Sequence, residues 1–394
     1  MYLKQKRASF CPKCGSTASW VHDHKRQIYK IKYKDDKVLR IIVTKTRCKC
    51  RDCGASFTPE LNGIERRNKN LNFTTQRIIT SFSKMKTFEE IACENLLTKS
   101  RVIQLFDKAY PNIPPLSLPR VMCLDEIKFN TDFDSKYILI ISNFETGQIV
   151  DILPSRKIDV MREYFASRYS ELKNVKYLVT DMYSGFTRIH NMFFSKIPHI
   201  IDLFHAIQDL TRAVNRIRTK VMNVLPEGDG RKTFMKKHWK LFLARLSTLD
   251  RKILNKMYKN ESSGIEKDYF HWMQDCICTE LRFYHAYQCL QEMYTYNRYS
   301  TYEDGSNHLE RIITMLKAEG DKDLVTVAET YEKNFVGIVN CLDKKSRGFR
   351  YTTGIAECIN NHIKTLIKLS YGCVNYKRFR NRILLISQTN KPLF

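Results

Sequence analysis

No apolar stretch in the chain approaches the roughly 20 residues that a bilayer-spanning helix needs, and no basic start followed by a short apolar run marks a secretory leader. The chain is therefore expected to stay in the cytoplasm where it is made. Acid is scarce too: 41 Asp and Glu stand against 67 Lys and Arg, a formal net charge of +26. That excess calls for a polyanionic partner, and without a basic amphipathic helix beside an anchor the partner is expected to be nucleic acid rather than a membrane surface. A dense disulfide framework is missing as well. The 13 Cys cluster near the N-terminus and scatter beyond it, as in a reducing compartment with some thiols on a metal. Proline is sparse, with ten in 394 residues, and four of them (Pro111, Pro114, Pro115, Pro119) crowd one stretch. Their fixed φ and missing N–H make 111–119 a stiff linker and a domain boundary. Hydrophobic residues are plentiful at 43%, enough for a sizeable core spread over two or three domains.

Residues 1–60 carry two knuckles, Cys11-Pro-Lys-Cys14-Gly15 and Cys50-Arg-Asp-Cys53-Gly54. Each Cys-x-x-Cys brings two thiolates to one ion, so Cys11, Cys14, Cys50 and Cys53 are expected to hold a structural Zn²⁺ as a zinc ribbon. Strands at Gln27–Tyr33 and Val38–Thr46 fill the gap as a hairpin turning at Asp35-Asp36. Cys48 is a competing thiol, but the paired spacing favours Cys50. Lysines and arginines such as Lys25, Arg26, Arg40 and Arg47 stud this module, which reads as contacting DNA. Residues 61–110 suggest helices at Phe73–Met85, Thr87–Asn95 and Ser100–Tyr110. In the last two, Phe88, Ile91 and Ala92 face Val102, Leu105 and Phe106 across a short break. That is helix-turn-helix spacing, with Arg101, Gln104 and Lys108 exposed for DNA.

From residue 120 the pattern changes. Val121–Glu126 is apolar on both faces until it ends in Asp125 and Glu126, which suits a strand inside a covered sheet. Strands at Lys136–Asn143 and Gln148–Leu153 follow, joined by a turn at 144–147. Then come a helix at Ile158–Ser170, a strand at Val175–Thr180 ending in Asp181, a helix at Tyr183–Met192, a short strand at His199–Asp202 and a helix from His205. A three-strand meander followed by helix, strand, helix, strand, helix is the order of a ribonuclease-H-like fold. In it the first and fourth strands are neighbours. A single acid at a strand exit is ordinarily a turn residue or cap, but two on neighbouring strands make a divalent-metal site. By the same strand alternation Glu126 points to the opposite face. Residues from about 215 to 350 read as helical, on their own pattern a separate helical domain, with Trp239, Phe242, Leu243, Phe283, Tyr284 and Tyr287 as core.

Near the C-terminus, Glu357, Asn361, Lys364 and Lys368 share one helix face, and Lys364 and Lys368 are expected to meet DNA phosphates. A helix packed on the sheet would aim Glu357 at Asp125 and Asp181. Three carboxylates binding two Mg²⁺ (or Mn²⁺) ions suit in-line displacement at phosphorus.

The stretches LDE, VTDMYSGF and IIDLFHAIQDL, with G-x-x-E-x-x-N-x-x-x-K around Glu357, resemble the DDE transposases of bacterial insertion sequences, closest to the zinc-ribbon-bearing "ISL-three" type. Phe186, Leu203 and Cys358 depart from the family's usual residues without touching a ligand position. The resemblance implies Asp125, Asp181 and Glu357 as catalytic metal ligands, and it matches the family's D-x-x-H element to Asp202 and His205, with His205 either a catalytic residue touching the scissile phosphate or the metal-bound water, or a structural histidine. It also implies double-stranded DNA partners (element ends and target), a homodimer or larger assembly on DNA, and a bacterial, nucleoid-associated location. The expected whole is a multi-domain α+β protein. It comprises a zinc ribbon (1–60), a helix-turn-helix (61–110), the linker, and a ribonuclease-H-like α/β catalytic domain (120–394), in which the resemblance implies that about 215–350 is an all-helical insertion. The expected activity is metal-dependent cleavage and transfer of DNA strands. The rival readings are a domesticated DNA-binding regulator without catalysis and a nuclease without strand transfer.

Overall fold

A computed structural model of the chain describes residues 2–4, 10–32, 37–59, 72–129, 135–261, 264–343, 361, 364–365, 368 and 375–389. These fall into two compact units, with the C-terminal helix Tyr376–Thr389 belonging to the unit that holds the N-terminal segments. No helix among the described residues is long and apolar enough to cross a membrane.

In the first unit, β2 (Ser19–Lys32) and β3 (Val38–Cys50) pair antiparallel from Ser19 opposite Cys50 to Lys32 opposite Val38. This hairpin is longer than the sequence suggests, because pairing continues down to the knuckles. β1 (Tyr2–Lys4) runs parallel to β3, and β4 (Ser56–Phe57) also pairs with β3. Among the described residues Tyr29, Ile41 and Val43, with Ile31 packed against them, form a small core in the hairpin's outer half. So thin a core fits a module held by its ligands rather than by apolar burial.

Three helices follow: α1 (Asn72–Ser81), α2 (Phe88–Glu94) and α3 (Lys99–Ala109). Thr87 and Glu90 form a reciprocal capping box at the start of α2, and Thr98 caps α3. The turn between α2 and α3 passes through Leu96 at φ 54°, a left-handed conformation that costs a non-glycine residue energy. It is held by the buried Asn95, whose amide donates to Ile91 O at 2.7 Å while its Oδ1 accepts from Arg77. Phe88, Ile91, Ala92, Val102, Leu105 and Phe106 are buried, as their spacing requires.

The C-terminal helix completes this unit. Asn381 receives the Ile113 N–H at 3.2 Å and donates to Tyr110 O at 3.0 Å, and Arg378 grips Asp107 through two bonds of 2.8 and 2.7 Å. Arg382, 1% exposed, lies among Phe82, Phe88 and Phe106 and donates to the carbonyls of Phe82, Lys84 and Lys86. The sequence reading placed this helix with residues 120–394; its partners are instead the helices of residues 72–110.

The second unit is built on a five-stranded sheet of β5 (Val121–Lys128), β6 (Tyr137–Asn143), β7 (Ile149–Leu153), β8 (Tyr177–Thr180) and β9 (His199–Ile201), in the order β7-β6-β5-β8-β9. The first three strands are an antiparallel meander, and β8 and β9 add in parallel. One face carries Met122, Leu124, Leu139, Ile141 and Leu178 against Met161 and Phe165 of α4 (Ile158–Ser167) and Phe186 and Ile189 of α5 (Ser184–Phe193). The other face carries Val121, Cys123, Val179 and Ile200, which join a larger core with α6 (Leu203–Val224). Both faces are covered, which explains the uninterrupted apolar reading of β5.

Beyond α6 the insertion contains α7 (Gly230–Lys237), α8 (Arg251–Leu254), α9 (Tyr269–Ile277), α10 (Leu281–Tyr299), α11 (Tyr302–Ala318), α12 (Lys322–Lys333) and α13 (Phe335–Asn340). It is not all-helical as expected. A hairpin of β10 (Met257–Lys259) and β11 (Glu266–Asp268) interrupts it, with Gly264 at φ +67° supplying the turn conformation. Of the six residues read as core, Phe242, Phe283 and Tyr287 are buried, whereas Trp239 and Tyr284 are 41% and 42% exposed. Helical spacing alone does not separate a core stripe from its flanks.

Candidate active site and metal centre

In the second unit, β8 ends at Thr180, which pairs with Leu124. Asp181 and Asp125 are the next residues on the two parallel neighbours, so the register brings them side by side. Asp125 does not end its own strand, as the sequence suggested, because β5 runs on to Lys128 paired with β6. It marks the point where β8 stops and opens the sheet beside it. Burial holds the Asp181 carboxyl above the usual carboxylate range. The Tyr183 N–H, 2.8 Å from Oδ1, works against this, and the charge of Asp125 adds to it.

His205 joins them from the first turn of α6. Asp202 caps that helix, taking the Phe204 N–H at 3.0 Å, and its other oxygen lies 3.3 Å from His205 Nδ1. Burial alone would lower this imidazole's pKa. The Asp202 contact and the charges of Asp202, Asp125 and Asp181 outweigh burial and push it up to about 9. Burial, then the charges of Asp125, Asp202 and Asp181, drives the neighbouring Cys123 thiol well above its ordinary value, so it stays a thiol.

Glu126 also serves this locus, from the opposite face of β5. It forms an ion pair with Arg156, whose guanidinium is 4.3 Å from the ring centroids of both Tyr137 and Tyr183. Burial raises the Glu126 pKa against the pull of Arg156. Sequence reading did not single out Arg156. It sits in an ordinary connection after β7, and only the fold slots it between two tyrosines beside Asp181.

Thr180, just before Asp181, is buried, and its hydroxyl donates to Asp181 O at 2.7 Å. That leaves His199 Nε2, 2.8 Å away, to donate to Thr180 Oγ1, so the ring must be neutral or cationic with that nitrogen protonated. Burial, then the stacked His190, pushes the His199 pKa down to about 4. A folded-state value below the ordinary 6.5 means that the unfolded chain binds the proton more tightly. Stability is therefore expected to fall as pH drops from about 6.5 to 4, by about 3 kcal/mol at roughly 1.4 kcal/mol per unit. Urea unfolding at pH 7 and pH 4.5 checks this. His199→Gln should flatten the difference, and an unchanged acid dependence in that variant would refute the assignment.

Glu357 lies outside the described residues. Asn361, Lys364 and Lys368 are helical and exposed, and their spacing puts them on one face. In the first unit, Gln104 and Lys108 are exposed on α3 while Arg101 is half-buried and bonds Gln104 at 3.2 Å.

The thiols of Cys11, Cys14, Cys50 and Cys53 converge, all four sulfurs lying within 4.8 Å of one another. Among the described residues this is the one group of three or more His, Cys, Asp or Glu ligand atoms so closely gathered. Cys11 and Cys53 approach to 3.7 Å, and Cys14 and Cys50 to 3.6 Å. Gly15 and Gly54 take φ 75° and 69° where each knuckle turns back. Backbone N–H groups, chiefly that of Cys53, bring the Cys50 thiol down to about 7. The Ser16 N–H favours ionisation of Cys14, but Cys53, burial and the other thiols override it and push Cys14 up to about 12. Four thiolates this close need a cation, and the set fits a tetrahedral soft-metal site. Cys48 is buried beside the group but is not part of it.

Residues 122–383 match the model of a family described as transposase, the DDE type of the ISL-three group. Among solved structures the chain is similar to the Drosophila P element transposase strand transfer complex, at 11% identity and a TM-score of 0.40, over 84% of this chain and 94% of that one. No curated protein matches.

Proposed function

The chain belongs to the ISL-three group of DDE transposases, and from that premise we propose that it cuts and rejoins DNA strands at a site whose carboxylates are Asp125, Asp181 and Glu357. The observation that carries this reading is the register that sets Asp125 and Asp181 side by side where β8 stops. The order β7-β6-β5-β8-β9 supports a ribonuclease-H-like scaffold for it. Two adjacent carboxylates, one raised by burial and by its neighbour, suit hard divalent cations such as Mg²⁺ or Mn²⁺. When bound, such ions supply Lewis-acid activation of the attacking oxygen and charge stabilisation for the departing one.

The chain's own residues do the rest. Asp125 on β5 and Asp181 directly after β8 would hold the ligand set at the sheet's edge. His205, with Nδ1 3.3 Å from Asp202 Oδ2, would contact a phosphate oxygen or the attacking water at the same locus. Arg156 keeps Glu126 paired and places a fixed positive charge near Asp181. The modules at 1–60 and 61–110 would bind the ends of the element, with Gln104, Lys108 and Arg101 of α3 as contacts. Lys364 and Lys368 would meet phosphates. Joining two ends to a target calls for a dimer or larger assembly on DNA.

The test is cleavage of labelled duplex carrying the element's ends, with and without Mg²⁺. Mg²⁺-dependent nicking and joining to a target duplex is expected. End binding without cleavage at any divalent ion would favour the regulator instead, and nicking without joining would favour the nuclease.

The four-thiol group would hold Zn²⁺ in a structural role. Stripping it with a strong chelator is expected to melt the hairpin of β2 and β3 and to weaken end binding by at least about tenfold, because the folding energy of such modules is largely metal-binding energy. Zinc content by mass spectrometry and circular dichroism check it. A metal-free protein with an intact hairpin would refute the assignment.

A further inference from the structure

Residues 231–260 of the insertion hold ten Lys and Arg and a single acid, Asp250. Part of that charge has local partners: Arg231 pairs with Asp229, Lys232 with Glu227, and Lys267 of the adjoining strand with Asp275. Lys236, Lys237, Lys240 and Lys256 do not pair. All four are exposed, and none forms an ion pair among the described residues. Lys236 and Lys237 end α7, where they complement the helix dipole. That explains two of the charges but not their company.

The fold draws them together over one aromatic cluster. Phe234, His238, Tyr258, Tyr269 and Trp272 pack ring on ring, with centroids 4.7 to 5.7 Å apart around Phe234. Lys237 stands 6.0 Å from the Tyr258 centroid and Lys256 5.9 Å from that of Tyr269. Lys240 lies 5.7 Å over Trp239, which follows His238 in the chain. The charges of Lys237 and Lys256, after burial, hold the His238 pKa below its ordinary value, so both fields converge there.

We propose that this face of the insertion, centred on Lys237, Lys240 and Lys256, docks the phosphate backbone of double-stranded DNA. The inference rests on the transposase reading and adds to it a contact surface apart from the carboxylates and from the helix-turn-helix. The occupant follows from the chemistry. Like charges gathered over a rigid aromatic cluster repel one another; the opposite charge of a polyanion offsets that repulsion, and the counterions it releases on binding add to the affinity. The cluster's rings are largely shielded, with Phe234 fully buried, Trp272 3% and Tyr269 9% exposed. These rings are not free to stack on unpaired bases, and Trp239 under Lys240, 41% exposed, is one open ring rather than a row of them, which argues against a single-strand groove and for a duplex held by its phosphates.

The experiment uses the full chain and a mixed-sequence linear duplex, with affinity measured by fluorescence anisotropy across a salt series. The variant combines Lys237→Gln, Lys240→Gln and Lys256→Gln, which keep most of each stem over its ring. Each lost phosphate contact removes about 0.9 from the slope of log K against log salt, so the triple variant is expected to shallow that slope by about 2–3. Affinity at 0.15 M salt should fall about tenfold or more. Arginine at the same three positions should restore the slope. A control triple, Lys173→Gln, Lys196→Gln and Lys322→Gln, removes the same charge from exposed sites elsewhere in this unit and should leave it nearly unchanged. An unchanged slope in the first triple, or an equal loss in the control, overturns the proposal while leaving the transposase reading standing. Failure of the unsubstituted chain to bind duplex DNA overturns both.

Discussion

Asp125→Asn should abolish strand cleavage, by at least about 10²–10³-fold, while end binding stays within about twofold of the unsubstituted chain. The change is close to isosteric, so β5 should keep its pairing with β6 and β8. What is lost is one negative charge at the point where β8 stops. Removing a single preorganised electrostatic group from an active site commonly costs that much, and a ligand to a divalent ion is at least as exposed to it. Asp181→Asn should behave alike, because its carboxylate occupies the matching place on the parallel neighbour. Glu126→Gln is the contrast. It loosens the ion pair with Arg156 on the other face of β5, so a smaller drop of about 10-fold, and no more than about 100-fold, is expected, the range for groups that orient ligands. The readout is nicking of end-labelled duplex in Mg²⁺, beside anisotropy for binding. Nicking at the unsubstituted rate in either Asp variant would remove these carboxylates from the chemistry.

The second large effect concerns stability. Arg382→Ala should destabilise the first unit by about 3 kcal/mol or more. The guanidinium is enclosed among three phenylalanines and serves three backbone carbonyls, those of Phe82, Lys84 and Lys86. Truncation leaves the buried Phe82 carbonyl without a donor, at about 1–3 kcal/mol when no water reaches it, removes the part-buried bonds to Lys84 and Lys86, and opens a cavity besides. Burial lowers the Arg382 pKa to about 10, so at neutral pH the charge stays on and the carbonyl dipoles are what make it tolerable. Arg382→Met should recover the packing but not the donors, and so should fall between the two. Urea unfolding followed by near-ultraviolet circular dichroism measures it. A midpoint unaltered in the Ala variant would mean that the α1–α3 core does not need this side chain.

Much of the architecture was legible because it rests on periodicity and on residues with few alternatives. The double-sided apolar run of β5, the turn at 144–147 and the capping residues before α2 and α3 each have a local cause. So does the four-thiol group, since paired knuckles leave little freedom in what meets. Asp125 and Asp181 were legible as a pair once the strand order was. Arg156 was not, because nothing in its own stretch requires two tyrosines from distant strands and helices to enclose it. Trp239 and Tyr284 look like core by spacing, yet they lie at the edge of their stripe, where tertiary packing alone decides. The partner of the C-terminal helix was equally hidden. Its apolar face suits any surface of the right shape, and Arg382 and Asn381 identify their acceptors only when those acceptors are in place.

That last helix also sets an order of events during synthesis. Its bonds to Asp107 and Phe82 span 271 and 300 residues of chain. A ribosome adding about 5–20 residues per second takes roughly 15–60 seconds to cover that interval. Through it the Phe82, Phe88 and Phe106 cluster has no guanidinium over it, and the carbonyls of Lys84 and Lys86 wait for their donor. The core of α1–α3 is thus assembled from segments far apart in the chain. It is completed only once Arg382 has been made, so a nascent chain short of that residue holds the Phe82, Phe88 and Phe106 cluster without its guanidinium.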